Sequence, residues 1–347
     1  MNRILEEDAL TIAQTPINWQ KFHNKTILIA GANGYVPQHF VHGFMMRNKI
    51  SNEDIHVIAL CRNENKARER FGEYFGRDDF TLLIGDVLEE IRIEKKIDFI
   101  IDAASPAGVK TSNEDPVATF ETNVFGCSNL LKLAQHHHAE FLYLSSVDIY
   151  GRSHQERFAE DETGILDSLD VRNVYAAAKR AAENLCVCYG QRGSVCKIVR
   201  PGQIMGCGIA LDDGRLHIDF ISQILKSDKI VLKGDGTPVR TFIYMTDAIA
   251  GMLYVMSEGE NAQAYNICTE MGEASVLELA QTMAGQVKGK SIQVDFNRET
   301  RKNDPAVKHA VSRVCTSSDK LSSLGWSEQV SLEEACRRMM TYYGIPL

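Results

Sequence analysis

A tyrosine and a lysine in the middle of the chain have the spacing needed for acid–base chemistry. Tyr175 and Lys179 are four residues apart in the segment YAAAK, so on a helix both side chains lie on one face. An ammonium group stabilises a nearby tyrosinate. We therefore expect Lys179 to lower the pKa of Tyr175, which makes the phenol a usable acid or base near neutral pH.

Two polar side chains upstream complete the predicted catalytic group. Ser146 follows the apolar run 140–145, whose composition predicts a strand, and would hydrogen-bond the reacting oxygen. Asp148 is a further candidate base in the same segment, SSVDIYG. The strand end and the helix that carries Tyr175 would bring these groups together.

A glycine-containing loop near the N-terminus is typical of dinucleotide binding. Residues 31–37 read GANGYVP and follow the apolar run 25–30. Gly31 and Gly34 would let the backbone approach a pyrophosphate, and the following helix would offer its free N–H groups. The usual third glycine of such loops is replaced by Pro37, which a first helical turn tolerates. The predicted cofactor contacts of this loop are Gly31, Asn33, Gly34, Tyr35 and Val36.

The ends of later strands extend the predicted cofactor site. Asp86 and Val87 follow the third strand, where the carboxylate could hold the adenine amino group. Ala103 and Ala104 follow the fourth, where small side chains let a dinucleotide lie against the sheet. At the other end of the dinucleotide, we expect Tyr175 and Lys179 to contact the nicotinamide ribose.

The end of the second strand indicates which dinucleotide binds. NAD enzymes usually have an acidic residue there to bind both ribose hydroxyls. This chain has Cys61, Arg62 and Asn63, and Arg62 could pair with a 2′-phosphate. We therefore expect NADP(H), with NAD(H) as the other possibility; the alternative is that Arg62 only stacks on adenine or is solvated.

Alternating short apolar runs and helical patterns predict the fold that positions these residues. The apolar runs are at 25–30, 55–60, 80–84, 97–103, 140–145 and 194–200, and the helical patterns include 117–135 and 174–189. This alternation predicts an α/β Rossmann fold with a doubly wound parallel sheet. We divide the chain into an N-terminal extension at 1–24, an NAD(P)-binding domain at 25–200 and a smaller substrate-binding lobe at 201–347. Some segments of the lobe are expected to return to the main sheet.

The composition excludes several classes of protein. The 347 residues are 44% hydrophobic and 24% charged with a net charge of −8, which favours neither nucleic acid nor membrane partners. No apolar stretch reaches the roughly 20 residues of a membrane helix. The nine cysteines lack metal-ligand spacing. We read them as free thiols of a cytoplasmic protein and predict no metal site.

Together these segments resemble the extended short-chain dehydrogenase/reductase family of nucleotide-sugar epimerases, dehydratases, decarboxylases and ketoreductases. The resemblance covers roughly residues 25–345 and rests on GANGYVP, GDV, TNVFG, SSVDIYG, YAAAK, RPGQIMG, GDGTPVRTFIYMTD and LGW. It implies a nucleotide-sugar substrate. It also implies a homodimer, in which the helices at 117–135 and 174–189 pair with those of a second copy.

The resemblance also implies roles for residues outside the catalytic group. Asn123, in TNVFG, would support the cofactor and active-site architecture. Ser105 and Gln203 would contact the substrate. Arg240 and Arg301 would bind the nucleotide diphosphate, a role that suits the planar fork of a guanidinium.

Departures from the family pattern narrow the expected reaction. Dehydratases of the family usually have Thr-Asp-Glu at the positions that match 146–148. This chain has Ser146, Val147 and Asp148 there, which argues against 4,6-dehydration. Epimerases usually hold NAD with an acidic end of the second strand, which is absent here. We therefore expect NADPH-dependent reduction of a nucleotide-4-keto-6-deoxyhexose, for example dTDP-4-dehydro-6-deoxyglucose, in polysaccharide biosynthesis.

Two other functions stay open from the sequence. One is a 4-epimerase, decarboxylase or 4,6-dehydratase that retains bound NAD. The other is a dinucleotide-sensing binding protein without activity. A sensor would need none of Ser146, Tyr175 and Lys179, so their presence favours an enzyme.

Overall fold

A seven-stranded parallel sheet forms the centre of the molecule. The computed structural model describes residues 1–106, 114–151, 157–297 and 313–347. The strands, numbered in chain order, are β1 Thr26–Ala30, β2 His56–Cys61, β3 Phe80–Ile84, β4 Phe99–Asp102, β5 Glu140–Leu144, β6 Arg157–Phe158, β7 Cys196–Pro201, β8 Gln203–Met205, β9 Lys229–Leu232, β10 Val239–Tyr244, β11 Ala264–Ile267, β12 Glu273–Ser275, β13 Gln293–Phe296 and β14 Arg313–Thr316. The main sheet has the order β11-β7-β5-β4-β1-β2-β3. Successive strands are added on one side of β1 up to β3 and then on its other side from β4 onward, as in a Rossmann fold, which confirms the predicted fold class.

Helices cover both faces of this sheet. The helices in chain order are α1 Arg3–Ala13, α2 Pro37–Ser51, α3 Glu64–Phe71, α4 Pro116–Glu121, α5 Cys127–His137, α6 Val174–Gln191, α7 Leu216–Lys226, α8 Met245–Glu258, α9 Val276–Gln286, α10 Asp319–Ser322 and α11 Leu332–Tyr342, of which α7, α9 and α11 belong to the second layer described below. All five residues of β1 are buried; Ile27 and Ile29 belong to one core, and Leu28 and Ala30 to another on the opposite face. Burial on both faces explains why β1 is a continuous apolar run rather than an alternating one.

The N-terminal segment contains a helix that the sequence analysis did not predict. α1 buries Ile12, which lies against Gly43 of α2 so closely that a Cβ at Gly43 would collide with it. Trp19 and Phe22, which follow α1, are buried, and the ring of Phe22 lies 5.1 Å from that of Phe99. Residues 1–24 are therefore packed onto the main sheet and its helices rather than standing apart from them.

The helix predicted at 117–135 is interrupted. A π-helical turn at Thr122–Gly126 separates α4 from α5. The Asn123 amide donates to the carbonyl of Thr119 at 2.8 Å, and a Cβ at Gly126 would lie 2.7 Å from Val87 Cγ2. The wider turn thus coincides with a point where the helix must approach the loop after β3, a constraint that periodicity does not reveal.

The C-terminal part forms a second layer beside the carboxyl edge of the main sheet. A sheet with the order β12-β10-β14-β6, to which β8 adds beside β10, packs with α7, α9 and α11 around a separate apolar core. β11 returns to the main sheet and pairs with β7 in parallel. The division at residue 200 into a cofactor domain and a substrate lobe remains our proposal.

Within the residues that the structure describes, no helix has the length and apolar character needed to cross a bilayer. In the same ranges, no group of three or more His, Cys, Asp or Glu side chains is arranged to hold a metal ion.

Candidate active site

A cavity of about 350 Å³ lies at the carboxyl ends of β1 to β4. Its walls include most of the residues predicted to bind the cofactor. These are Gly31, Asn33, Gly34, Arg62, Asp86, Val87, Ala103 and Ala104. The structure also places Ser105 and Lys66 there. Ser105 was predicted to contact the substrate, but it lines this dinucleotide cleft because it directly follows the alanines at the end of β4.

The glycine loop has a backbone that a side chain would disturb. Gly31 has a φ of 70°, and a Cβ there would lie 2.9 Å from Ala104 Cα and 3.0 Å from the Ala103 carbonyl oxygen. The Gly34 N–H closes the turn by donating to the Gly31 carbonyl at 2.7 Å. Pro37 is the first residue of α2, as the sequence predicted. Because Gly31 has no side chain, the loop can pack closely against the end of β4, and its backbone stays accessible to a pyrophosphate in the cleft.

Five predicted cofactor residues do not line this cleft. Tyr175 and Lys179 lie at the second cavity, which is described below; the other three are Tyr35, Val36 and Asn123. The ring of Tyr35 lies 4.7 Å from the guanidinium of Arg215, and its hydroxyl donates to the Ile204 carbonyl at 3.4 Å. Val36 precedes α2 and packs against the core. Asn123 is buried in the π-helical turn. Contact of these side chains with a cofactor stays a prediction.

The end of β2 carries cations and no carboxylate. Arg62 is 65% exposed, with Nη1 lying 3.6 Å from an Asp86 carboxylate oxygen. The Asn63 side chain accepts from the Lys66 N–H and caps α3, so it is committed to the helix. Lys66 also lines the cleft and adds a second cation to that of Arg62.

The cleft has features that fit a dinucleotide. Gly31 packs against the backbone of Ala103 and Ala104 so closely that a Cβ does not fit, and the Ser105 hydroxyl is buried with no hydrogen-bond partner among the described residues. A buried hydroxyl without a partner is costly unless a ligand or water satisfies it. The α2 N-terminus adds free backbone N–H groups.

A second cavity of about 400 Å³ lies between the SSVDIYG segment, α6 and the second layer. Asp148, Tyr175, Gln203 and Arg240, all predicted site residues, line it. Ser146 lies close to Tyr175, and its side chain lowers the pKa of the phenol. The structure thus brings the predicted acid–base group together with two of the predicted substrate residues.

Lys179 lies beneath this cavity rather than in its wall. It is 2% exposed, and its ammonium donates to the Leu144 carbonyl at 2.6 Å. The Nζ atom lies 5.7 Å from the centre of the Tyr175 ring. Burial lowers the pKa of Lys179 to about 8, and the negative charge of nearby Asp102 opposes that shift.

The predicted lowering of the Tyr175 pKa is wrong for this structure. Desolvation of the phenol raises its pKa above the ordinary value, and the Asp148 carboxylate raises it further. The hydrogen bond from Ser146 and the charge of Arg215 act in the opposite direction but do not outweigh burial. The Lys179 ammonium is held toward the Leu144 carbonyl, so the spacing YAAAK does not by itself bring the charge to the hydroxyl.

Asp148 and Arg240 face one another across the substrate cavity. Desolvation raises the pKa of Asp148, and its hydrogen bond with Ser146 and the charge of Arg240 oppose that effect. Arg240 is partly buried in β10 and donates to the Val239 carbonyl at 2.7 Å. Arg301, the second predicted phosphate ligand, lies outside the described residues.

The sequence analysis missed three charged residues at the site. Arg215 stands over Tyr35, Lys66 lines the dinucleotide cleft, and Asp102 is buried at the end of β4. Burial raises the pKa of Asp102 to about 6. Only Asp102 could have been found from the pattern, because it interrupts the apolar run 97–103. Arg200, at the end of β7, forms a buried ion pair with Glu183 at 2.8 Å.

Comparisons with known proteins show the family to which the chain belongs. Residues 27–268 match the NAD dependent epimerase/dehydratase family. UDP-glucuronic acid decarboxylase 2 of Arabidopsis thaliana is 30% identical over 315 residues, which are 90% of this chain and 67% of the relative. UDP-glucuronic acid decarboxylase 1 of Danio rerio is 30% identical over 321 residues, which are 92% and 72% of the two chains.

A solved structure extends the similarity to the fold. UDP-glucuronic acid 4-epimerase from Bacillus cereus, in complex with UDP-glucuronic acid and NAD, superposes with a TM-score of 0.75 at 22% identity, covering 91% of this chain and 98% of that one. With the cleft, the Ser146–Tyr175–Lys179 group and these matches, the chain belongs to the NAD dependent epimerase/dehydratase family, the extended short-chain dehydrogenase/reductase enzymes that modify nucleotide sugars.

Proposed function

We propose that this enzyme uses NADPH to reduce the 4-keto group of a nucleotide-4-keto-6-deoxyhexose, such as dTDP-4-dehydro-6-deoxyglucose. The observation that carries the proposal is the end of β2: Arg62 and Lys66 line the cleft, and residues 61–63 include no carboxylate. The Asp86 carboxylate, which follows β3, lies 3.6 Å from Arg62. Cations there suit a 2′-phosphate, whereas enzymes that hold NAD usually bind the ribose hydroxyls through an acidic residue. A net reduction consumes one NADPH in each turnover, so the enzyme must release the oxidised cofactor and bind a new reduced one.

The catalytic group supports reduction of a carbonyl. When bound, the reduced dinucleotide would supply the hydride. Tyr175 would donate the proton of its hydroxyl to the carbonyl oxygen, and a raised pKa keeps that proton in place until the oxygen gains charge. Ser146, whose side chain lowers the pKa of Tyr175, would orient the same oxygen. Lys179 would hold positive charge beneath the tyrosine and bind the ribose.

The second cavity supports a nucleotide sugar as the substrate. Arg240 and Gln203 line it, and a guanidinium can pair with the oxygens of a diphosphate. Arg301 is proposed as a second ligand of that diphosphate. The sugar would then lie between Arg240 and Tyr175, with its C4 oxygen at the tyrosine.

A second function is favoured by one specific observation. Asp148 lies in the substrate cavity with a raised pKa, so its carboxyl could exchange a proton with the sugar. The similar UDP-glucuronic acid decarboxylases suggest UDP-glucuronic acid as the alternative substrate, with NAD retained by the protein. The same arrangement would serve an epimerase.

Product analysis separates these functions. We would incubate the protein with dTDP-4-dehydro-6-deoxyglucose and NADPH, and separately with UDP-glucuronic acid and NAD, and analyse both mixtures by chromatography and mass spectrometry. The proposal predicts a product two mass units heavier than the keto sugar and no loss of carbon dioxide from UDP-glucuronic acid. Carbon dioxide release without net cofactor change would establish the second function instead.

We also propose a cytoplasmic homodimer that serves polysaccharide biosynthesis. None of the nine cysteines forms a disulfide bond in the structure, which suits a reducing compartment. Val117, Phe120 and Phe125 are exposed on the outer side of the helices around the π-helical turn. Burial of that apolar surface against a second copy would form the interface.

A further inference from the structure

Arg70 lies behind the dinucleotide cleft and holds the glycine loop from the side opposite the cofactor. It stands near the end of α3 and is not part of the cleft wall. Its Nη1 donates to the Asn33 carbonyl at 2.6 Å and to the Gly34 carbonyl at 3.3 Å. Its Nη2 donates to the Gly208 carbonyl at 3.0 Å. One guanidinium therefore joins the loop after β1 to the loop after β8.

Gln38 makes a second connection between the same two loops. Its amide donates to the Tyr35 carbonyl at 3.0 Å and to the Gly208 carbonyl at 3.2 Å. Gly208 has a φ of 83°, and a Cβ there would lie 2.9 Å from the Gln38 amide nitrogen. Three successive carbonyls of the glycine loop thus accept hydrogen bonds from two side chains that share one acceptor in the other loop.

The geometry of the peptide bond turns these contacts into an effect on the cleft. In a trans peptide the carbonyl and the N–H of the next residue point in opposite directions. No cis peptide is present among the described residues. The carbonyls of Gly34 and Tyr35 point toward Arg70 and Gln38, so the N–H groups of Tyr35 and Val36 point away from them, where α2 begins. Free N–H groups at a helix start are the groups that bind phosphate.

We propose that Arg70 is a positioning residue for the cofactor pyrophosphate: it fixes the glycine loop so that the Tyr35 and Val36 N–H groups face the phosphates. This role concerns dinucleotide binding in general and goes beyond the proposed reduction. The loop that contains Gly208 leads to Arg215, which stands over Tyr35, so the same contacts connect the cofactor loop to the substrate side.

The test compares Arg70→Met with Arg68→Met. Arg68 is a neighbour on α3 whose guanidinium pairs with Glu64 and contacts no part of the glycine loop. Dissociation constants for NADPH and NADH would be measured by nicotinamide fluorescence, well below the melting temperature of each variant. Because both dinucleotides share the pyrophosphate, Arg70→Met should weaken both by about 10-fold or more and leave their affinity ratio unchanged. Arg68→Met should bind both like the unchanged protein.

Two further readouts keep the proposal falsifiable if Arg70→Met folds poorly. Arg70→Lys keeps the charge but cannot reach three carbonyls, so it should weaken both dinucleotides by a smaller factor. Hydrogen–deuterium exchange should increase at residues 33–38 and 206–210 in the Lys variant and not elsewhere in α3. Unchanged affinity in both Arg70 variants, or a loss confined to one dinucleotide, would overturn the proposal.

Discussion

At Tyr175, burial and neighbouring charges act on the same phenol in opposite directions. Desolvation keeps the proton on the hydroxyl, while Ser146 and Arg215 favour its release. Lys179 is fixed by the Leu144 carbonyl, and its own pKa of about 8 is set by burial against the charge of Asp102. The pKa values in the predicted catalytic group are therefore set by desolvation and by several charges. The spacing YAAAK points only to the charge of Lys179.

The Lys179 pKa predicts the alkaline limit of activity. Below a pH of about 8 the ammonium is present, and it is lost as the pH rises through that value. If turnover needs this charge, kcat should fall above pH 8. Asp102→Asn removes a carboxylate that raises the Lys179 pKa, so the alkaline limb should move to lower pH. Full pH–rate profiles of both proteins would measure this. A shift of the alkaline limb to higher pH in Asp102→Asn would contradict the account.

The same shift has a consequence for stability. Lys179 has a lower pKa in the folded protein than its ordinary value of 10.5. Between these two values the unfolded chain binds more protons than the folded one, so this group makes the folded state more stable as the pH rises. Lys179→Met should remove that contribution. Urea unfolding at pH 7.5 and pH 9.5 would test it, since the difference in unfolding free energy between the two proteins should change with pH.

At the scale of the elements, close backbone approaches decide where the cofactor loop can form. Gly31 packs against the end of β4, and Gly126 allows the π-helical turn to reach the loop after β3. The sequence identified Gly31 because glycines after a strand are typical of phosphate loops. It could not identify the π turn, because the constraint at Gly126 comes from Val87, a neighbour that is distant in the chain.

The glycine loop supplies a matched pair of substitutions. Gly31 and Gly76 both have a positive φ, but a Cβ at Gly76 would meet nothing within 4 Å. Gly31→Ala should therefore abolish detectable dinucleotide binding, because its Cβ would press on Ala103 and Ala104. Gly76→Ala should cost about 1 kcal/mol of stability from backbone strain alone and bind dinucleotide normally. Equal binding by the two variants, measured by calorimetry, would refute the role of Gly31.

At the scale of the whole molecule, a buried ion pair ties the two ends of the chain together. Asp8 of α1 is 0% exposed; its carboxylate accepts from Arg338 of α11 at 2.8 Å and from the Tyr244 hydroxyl at 2.9 Å. Apolar periodicity predicted the strands of the main sheet well. It did not predict α1, whose buried side chains include Asp8, which pairs with a helix more than 300 residues away.

Loss of Asp8 should destabilise the entire fold. Asp8→Ala leaves Arg338 without its buried partner, and breaking such a pair costs about 3 kcal/mol. Glu6→Ala is the control, because Glu6 is exposed and only distantly paired with Lys49 at 3.9 Å. In chemical unfolding, the free energy of unfolding should fall by about 3 kcal/mol for Asp8→Ala and change by less than about 0.5 kcal/mol for Glu6→Ala. Similar values for both would mean that the contact contributes little.

The proposed dimer is also a property of the whole molecule. Phe125 is 53% exposed on the π-helical turn, and Val117 and Phe120 of the preceding α4 are exposed as well. Exposed apolar surface of this kind is typical of protein–protein interfaces. Light scattering should give a mass of two chains, and Phe125→Glu should shift it toward one chain while the far-ultraviolet circular dichroism stays the same. A single-chain mass for the unchanged protein would reject the dimer.

The most direct measurement of the central claim is the oxidation of reduced nicotinamide in the presence of dTDP-4-dehydro-6-deoxyglucose, followed by absorbance with NADPH and NADH in parallel. We expect stoichiometric consumption that is faster with NADPH and falls at least 100-fold in Tyr175→Phe, which loses the proton donor but keeps the cleft. No consumption with either dinucleotide, or equal rates for Tyr175→Phe and the unchanged enzyme, would contradict the proposed reduction.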